Sequence, residues 1–147
     1  MANEDNAWLL SAPTDAQRFA RVAAQMRGFD LAMLEVGHRY INLYWAGEDH
    51  NWELAGHEVE KIRLAIDDAV ERRPARATSA RMIDGALAGM VEAIDAQDPM
   101  KFEKQFTNLT ATCNTCHKVE KMPYVVVYPP EVRVSPTGPL PEEGAGR

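Results

Sequence analysis

Only two cysteines occur in these 147 residues, both in "TATCNTCHKV", with a histidine directly after the second. That scarcity excludes a disulfide-stapled scaffold and a zinc site drawn from two cysteine pairs. No run of about 18 apolar residues exists, so no membrane span is expected. Basic residues are the minority: 16 Lys and Arg against 22 Asp and Glu leave a formal net charge of −6. A phosphate backbone finds no basic face here, which argues against nucleic acid and leaves a positively charged protein surface as the favoured partner. The chain also lacks phosphate-binding loops of the G-x-G-x-x-G or G-x-x-x-x-G-K-[ST] kind, internal repeats and, before residue 122, clear strand signals. Spacing yields neither a Ser-His-Asp set nor paired carboxylates, so no enzymatic site is expected. The opening "MANEDNAWLLSAPTD" has no basic segment followed by an apolar stretch, as a secretory signal would.

What the chain does have is helical periodicity. Thr14, with Gln17 three residues on, reads as a capping box. From there Phe19, Val22, Met26, Phe29, Met33, Val36, Tyr40 and Leu43 recur at steps of three and four, a seam that Gly28 and Gly37 weaken locally. A second stripe of Ala55, Val59, Ile62, Ile66 and Ala69 stops at "ERRP". Ile83, Leu87, Met90 and Ile94 form a third. The fourth opens at Asp98-Pro99 and carries Phe102, Phe106, Leu109, Cys113 and Cys116. Four such stripes with short connections predict an all-α fold, an antiparallel up-down-up-down four-helix bundle over 14–122 after an N-terminal segment at 1–13. Six of the nine prolines fall after residue 122. Residues 123–147 therefore read as an extended tail, clasping the bundle near "YVVVY" and disordered after Pro136.

Both cysteines fall on the inward seam, late in their helix. Zinc would need further ligands, and His38, His50 and His57 have no ligand-like spacing to the pair. A redox dithiol belongs at a helix N-terminus, where the dipole lowers the attacking thiol's pKa; here the dipole has the wrong sign. Covalent haem needs two thioethers and an imidazole reaching the iron from the same side. Cys113, Cys116 and His117 match that C-x-x-C-H pattern in full.

On "CNTCH" at the end of an all-helical seam, the chain resembles the class II c-type cytochromes, the cytochrome c′ and c556 group. The stretches "RGFDLAMLEVGHRYINLYWAGEDHNWELAGHEVEKIRLAI" and "ERRPARA" are also similar to a set of small bacterial haem c proteins. The resemblance implies one covalent haem c per chain, periplasmic location with the export signal outside this sequence, and redox proteins as partners. It leaves a homodimer open, since class II bundles often pair through their first two helices. It departs after the haem motif, where cytochromes c′ tend to finish and this chain continues into the proline-rich tail.

With His117 as proximal ligand, the other face of the iron decides between an electron carrier and a gas binder of nitric oxide or carbon monoxide. His38 and His57 lie about 200° from their seams and point outward, and His50 sits in the far loop. Counting back from the loop near Glu48 by the length of the fourth helix reaches about residue 30, between Met26 and Met33. The resembling family places the distal position nearer the loop, which favours Met33; Met26, Met122 or no protein ligand are the alternatives. Phe29, Phe102, Phe106 and Leu109 would keep such an iron dry. Tyr44, Trp45 and Trp52 are expected to cap the far end of the core, and Asp67, Asp68 and Glu71 to form a solvated face. A haem-free helical module docking through "PPEVRVSPTGPLP" remains the reading of a different class.

Overall fold

The computed structural model describes residues 4–141, and every regular element among them is helical. A 3-10 turn leads into a short α1 (Ala7–Leu10), followed by α2 (Asp15–Gln25), α3 (Phe29–Glu48) and α4 (Trp52–Arg72). A second 3-10 turn, Pro74–Arg76, and a short α5 (Ala77–Ala80) come before α6 (Ile83–Asp95) and α7 (Pro99–Val119).

Four long helices share one core. Leu43 from α3, Val59 and Ile62 from α4, Met90 from α6 and Leu109 from α7 are its most deeply buried side chains. Packing runs α3 on α4, α4 on α6, α6 on α7 and α7 back on α3. These residues are those of the apolar stripes, so burial of the stripes accounts for the arrangement. Local chemistry sets the ends. Asn51 Oδ1 accepts from the Leu54 N–H at 3.2 Å to open α4, and Asp98 Oδ1 accepts from the Met100 and Lys101 N–H groups at 3.0 and 3.1 Å to open α7. Gly47 lies against the Phe102 ring, where an added Cβ would overlap the aromatic carbons, so glycine here lets α3 and α7 approach.

The long first seam is the point of departure from the sequence expectation. It does not form one helix: α2 ends at Gln25, and α3 begins at Phe29. Thr14 caps α2 as expected, Oγ1 accepting from the Gln17 N–H at 3.3 Å, yet α2 buries none of its residues and packs on α1. Phe19 is 75% exposed, and Val22 and Met26 also face solvent. The cause lies at the far end of α4. Arg72 Nε donates to the Arg27 carbonyl at 2.8 Å, and Arg73 Nη2 to the Met26 carbonyl at 3.4 Å. The Arg73 stem covers Gly28, whose added Cβ would lie 2.9 Å from Cγ. Carbonyls that a continuous helix would use internally are taken by these two guanidinium groups, and the chain turns there.

The tail forms no strand among the described residues. It runs extended from the end of α7 to the α3–α4 loop, where Arg133 pairs with both carboxylate oxygens of Asp49 at 2.6 and 2.7 Å and lies 4.7 Å above the Trp45 ring. Thr137 belongs to this ordered part, its carbonyl accepting from Arg133 at 3.0 Å. Residues 142–147, the end of the segment expected to be disordered, lie outside the described residues. No described helix is long and apolar enough to cross a membrane.

Candidate functional site

The last two turns of α7 carry the cysteines and His117 towards α3. They open onto a cleft of about 610 Å³ lined by Phe29, Met33, Val36, Tyr40, Cys113 and His117, with Met122, Val125 and Val127 of the tail on one side and Arg73 and Arg76 on another. A smaller pocket of about 70 Å³ adjoins it, shared by Cys113, Cys116, His117 and Met33 and backed by Ile66, Ser79 and Ile83. Helical pitch explains the grouping: Phe29, Met33, Val36 and Tyr40 are one face of α3, and Cys113, Cys116 and His117 are one face of α7.

Of the four residues singled out from the sequence, all share the smaller pocket, and Cys113, His117 and Met33 also line the larger cleft. Met33 is half-buried on its wall, whereas Met26 is exposed at the end of α2 and does not line it. Met122 does. His38 and His57 are exposed, and exposed His50 stacks on Trp52 at the other end of α3. Tyr44, Trp45 and Trp52 join Phe102 and Phe106 in an aromatic cluster there, with Tyr40–Phe106 ring centroids 4.7 Å apart and Trp52–Phe102 5.8 Å apart.

Cys113 and Cys116 are unpaired thiols. Burial pushes the Cys113 thiol up to about 11, with the neighbouring Cys116 adding to the rise, and burial raises Cys116 as well. A dithiol used for exchange needs the opposite, a thiolate stabilised near neutral pH. Cys116 Sγ donates to the Ser79 carbonyl at 3.4 Å. Among the described residues, no group of three or more His, Cys, Asp or Glu side chains gathers to hold a metal ion, so the zinc alternative lacks its remaining ligands.

His117 is held by one ring nitrogen. Its Nδ1 lies 2.8 Å from the Val125 carbonyl, which can only accept, so Nδ1 carries the hydrogen, and in the neutral ring Nε2 has the lone pair. Behind it, Asn114 bonds Val127 twice, Oδ1 accepting from the N–H at 2.7 Å and Nδ2 donating to the carbonyl at 2.9 Å. At the cleft wall, burial pushes the Tyr40 hydroxyl up to about 12, and it bonds Thr110 Oγ1 at 2.6 Å. Thr110 already donates to the Phe106 carbonyl, so the phenol is the donor.

Asn114, Val125, Val127, Arg73 and Arg76 were not found by reading the sequence. Asn114 left a faint signal, standing three residues before His117 and so on the same side of α7. The arginines lay in "ERRPAR", read as a helix stop and as part of the family resemblance but given no place at the site. The chain matches no family model, no characterised protein and no solved structure.

Proposed function

We propose that this chain is an exported monohaem c-type cytochrome of class II layout, located in the periplasm and passing single electrons between redox proteins. In that reading α3, α4, α6 and α7 form an antiparallel up-down-up-down bundle. Cys113 and Cys116 would hold one haem c by thioethers, and Nε2 of His117 and Met33 would be the protein ligands of its iron. The observation that carries it is that Cys113, His117 and Met33 line a single, mostly apolar cleft of about 610 Å³. That volume falls within the roughly 300–1,000 Å³ of cofactor sites.

The donor set fits the group. The Cys113 thiol, a histidine with a free Nε2 and a methionine on α3 line the cleft, and the Cys116 thiol lines the smaller pocket beside it. Arg73 on the cleft wall would supply a cation for the propionates, with Arg76, which pairs with Glu120, beside it. Bound there, a haem supplies a one-electron iron couple whose potential the axial ligands and burial set. The residues do the rest: Phe29, Val36 and Val127 exclude water, and Tyr40 keeps its proton and bonds Thr110 rather than the cofactor. The formal charge of −6 favours docking to positively charged partners.

The test is a visible spectrum of the chain matured with haem c machinery, oxidised and reduced, with and without carbon monoxide. Sharp reduced bands indifferent to the gas, with a methionine–iron band when oxidised, are expected. Met33→Ala should abolish that band and open the iron to carbon monoxide, and Met26→Ala should change neither. A gas-sensitive high-spin wild type would make this a five-coordinate gas-binding protein instead. A colourless one would leave a haem-free helical module.

A further inference from the structure

In the function proposed above the segment after α7 only shields the cleft through Val127, yet one of its carbonyls bonds the His117 ring. A neutral imidazole has two tautomers, and the bond made by one ring nitrogen decides which electron pair the other presents. For His117 that bond is made by Val125, a backbone carbonyl eight residues further on in a segment with no sheet ladder to hold it.

Two local devices pin that carbonyl. On one side, the chain leaves α7 in a tight turn with Lys121 at φ 62°, the Met122 N–H donating to the His117 carbonyl at 2.8 Å and the Val125 N–H to the Met122 carbonyl at 3.0 Å. On the other, the Asn114 side chain occupies both backbone polar groups of Val127, at 2.7 and 2.9 Å. A carboxamide is the side chain that gives one acceptor and one donor to an extended residue at once, and only one orientation of it satisfies both bonds. Asn114 lies between the two cysteines and one turn before His117, on the side of α7 that the tail crosses. The Arg133–Asp49 pair then ties the same segment down at the opposite end of α3.

We infer that the tail is a strap belonging to the site, and that Asn114 is a positioning residue. By clamping Val127 it holds the Val125 carbonyl on Nδ1 of His117 and so fixes Nε2 as the free nitrogen. The purpose of that free nitrogen rests on the function proposed above; the tautomer itself does not. Acceptors of this kind also raise the basicity of a ligating imidazole.

Nitrogen-15 NMR of the full-length chain, made without haem attachment and kept reduced, reads the tautomer directly at about pH 8, where histidine is mostly neutral. Wild-type His117 should be a single Nδ1–H tautomer. Asn114→Ala should shift it towards the Nε2–H form that solvated histidine prefers. Val127→Pro, which removes the N–H that Asn114 accepts and leaves α7 untouched, should do the same. In haem-loaded protein, Asn114→Ala should raise the midpoint potential, because a less basic imidazole stabilises the oxidised iron less. The inference is overturned if wild-type His117 is a mixture or Nε2–H, if both variants keep the wild-type tautomer, or if the potential does not move. A chain that takes up no haem sinks the proposed function and leaves the tautomer result to decide the strap.

Discussion

Cys113 ties the site to the stability of the chain before any cofactor is added. Its thiol, raised from 9.0 to about 11 by burial, ionises later in the folded chain than in the unfolded one. The stabilisation this gives is complete below about pH 9 and is lost as pH climbs towards 11. Across that window the haem-free protein should lose about 2–3 kcal/mol through this residue. Urea midpoints at about pH 8 and about pH 11 measure it, with Cys113→Ser as the control for other groups. Equal losses in both proteins would mean that the thiol is not held in apolar surroundings. Gly47 offers a steric counterpart at the opposite end of α3. Because its Cβ position is filled by the Phe102 ring, Gly47→Ala should cost about 1–3 kcal/mol in a thermal melt despite alanine's better helix propensity.

Among the elements, α2 and α7 look alike in sequence and differ in energetic weight. Both are amphipathic and both open on a capping side chain. Yet α7 buries Phe102, Phe106 and Leu109 in the common core, whereas α2 buries nothing. Phe106→Ala should therefore cost about 3–5 kcal/mol, and Phe19→Ser should stay within about 0.5 kcal/mol of wild type in urea unfolding. A large effect at Phe19 would mean that α2 packs on the bundle after all. The break before α3 was legible only as a weakening of the seam at Gly28, because Met26 to Phe29 is itself a step of three. Periodicity continues straight through the residues where the helix stops, and the residues that stop it, Arg72 and Arg73, are more than forty positions away.

For the molecule as a whole, the tail joins the two ends of α3. It starts at the cleft, beside Cys113 and His117, and finishes on Asp49 and Trp45. Arg133→Ala removes a bidentate pair with Asp49 and a cation–π contact with Trp45. The expected outcome is faster proteolysis of the tail beyond Val132, with a folded core by circular dichroism. Unchanged cleavage would show that the Asp49 contact does not restrain the tail.

Sequence by itself determined the helical class, the core stripes of α3, α4, α6 and α7, the caps at Thr14 and Asp98, and the grouping of Cys113, Cys116 and His117. Each of these follows from residues within a few positions of one another, where helical pitch turns spacing into direction. The outward placing of His38 and His57 was legible for the same reason. Only the tertiary structure decided that α2 stands apart from the core, which keeps Met26 from the cleft and leaves on its wall Met33, the residue the sequence reading favoured. It alone also decided that Arg73 and Arg76 border that cleft and that Val125 meets His117. Those outcomes depend on hydrogen bonds from distant guanidinium groups and on an extended segment without periodicity, and neither leaves a repeat in the sequence to be read.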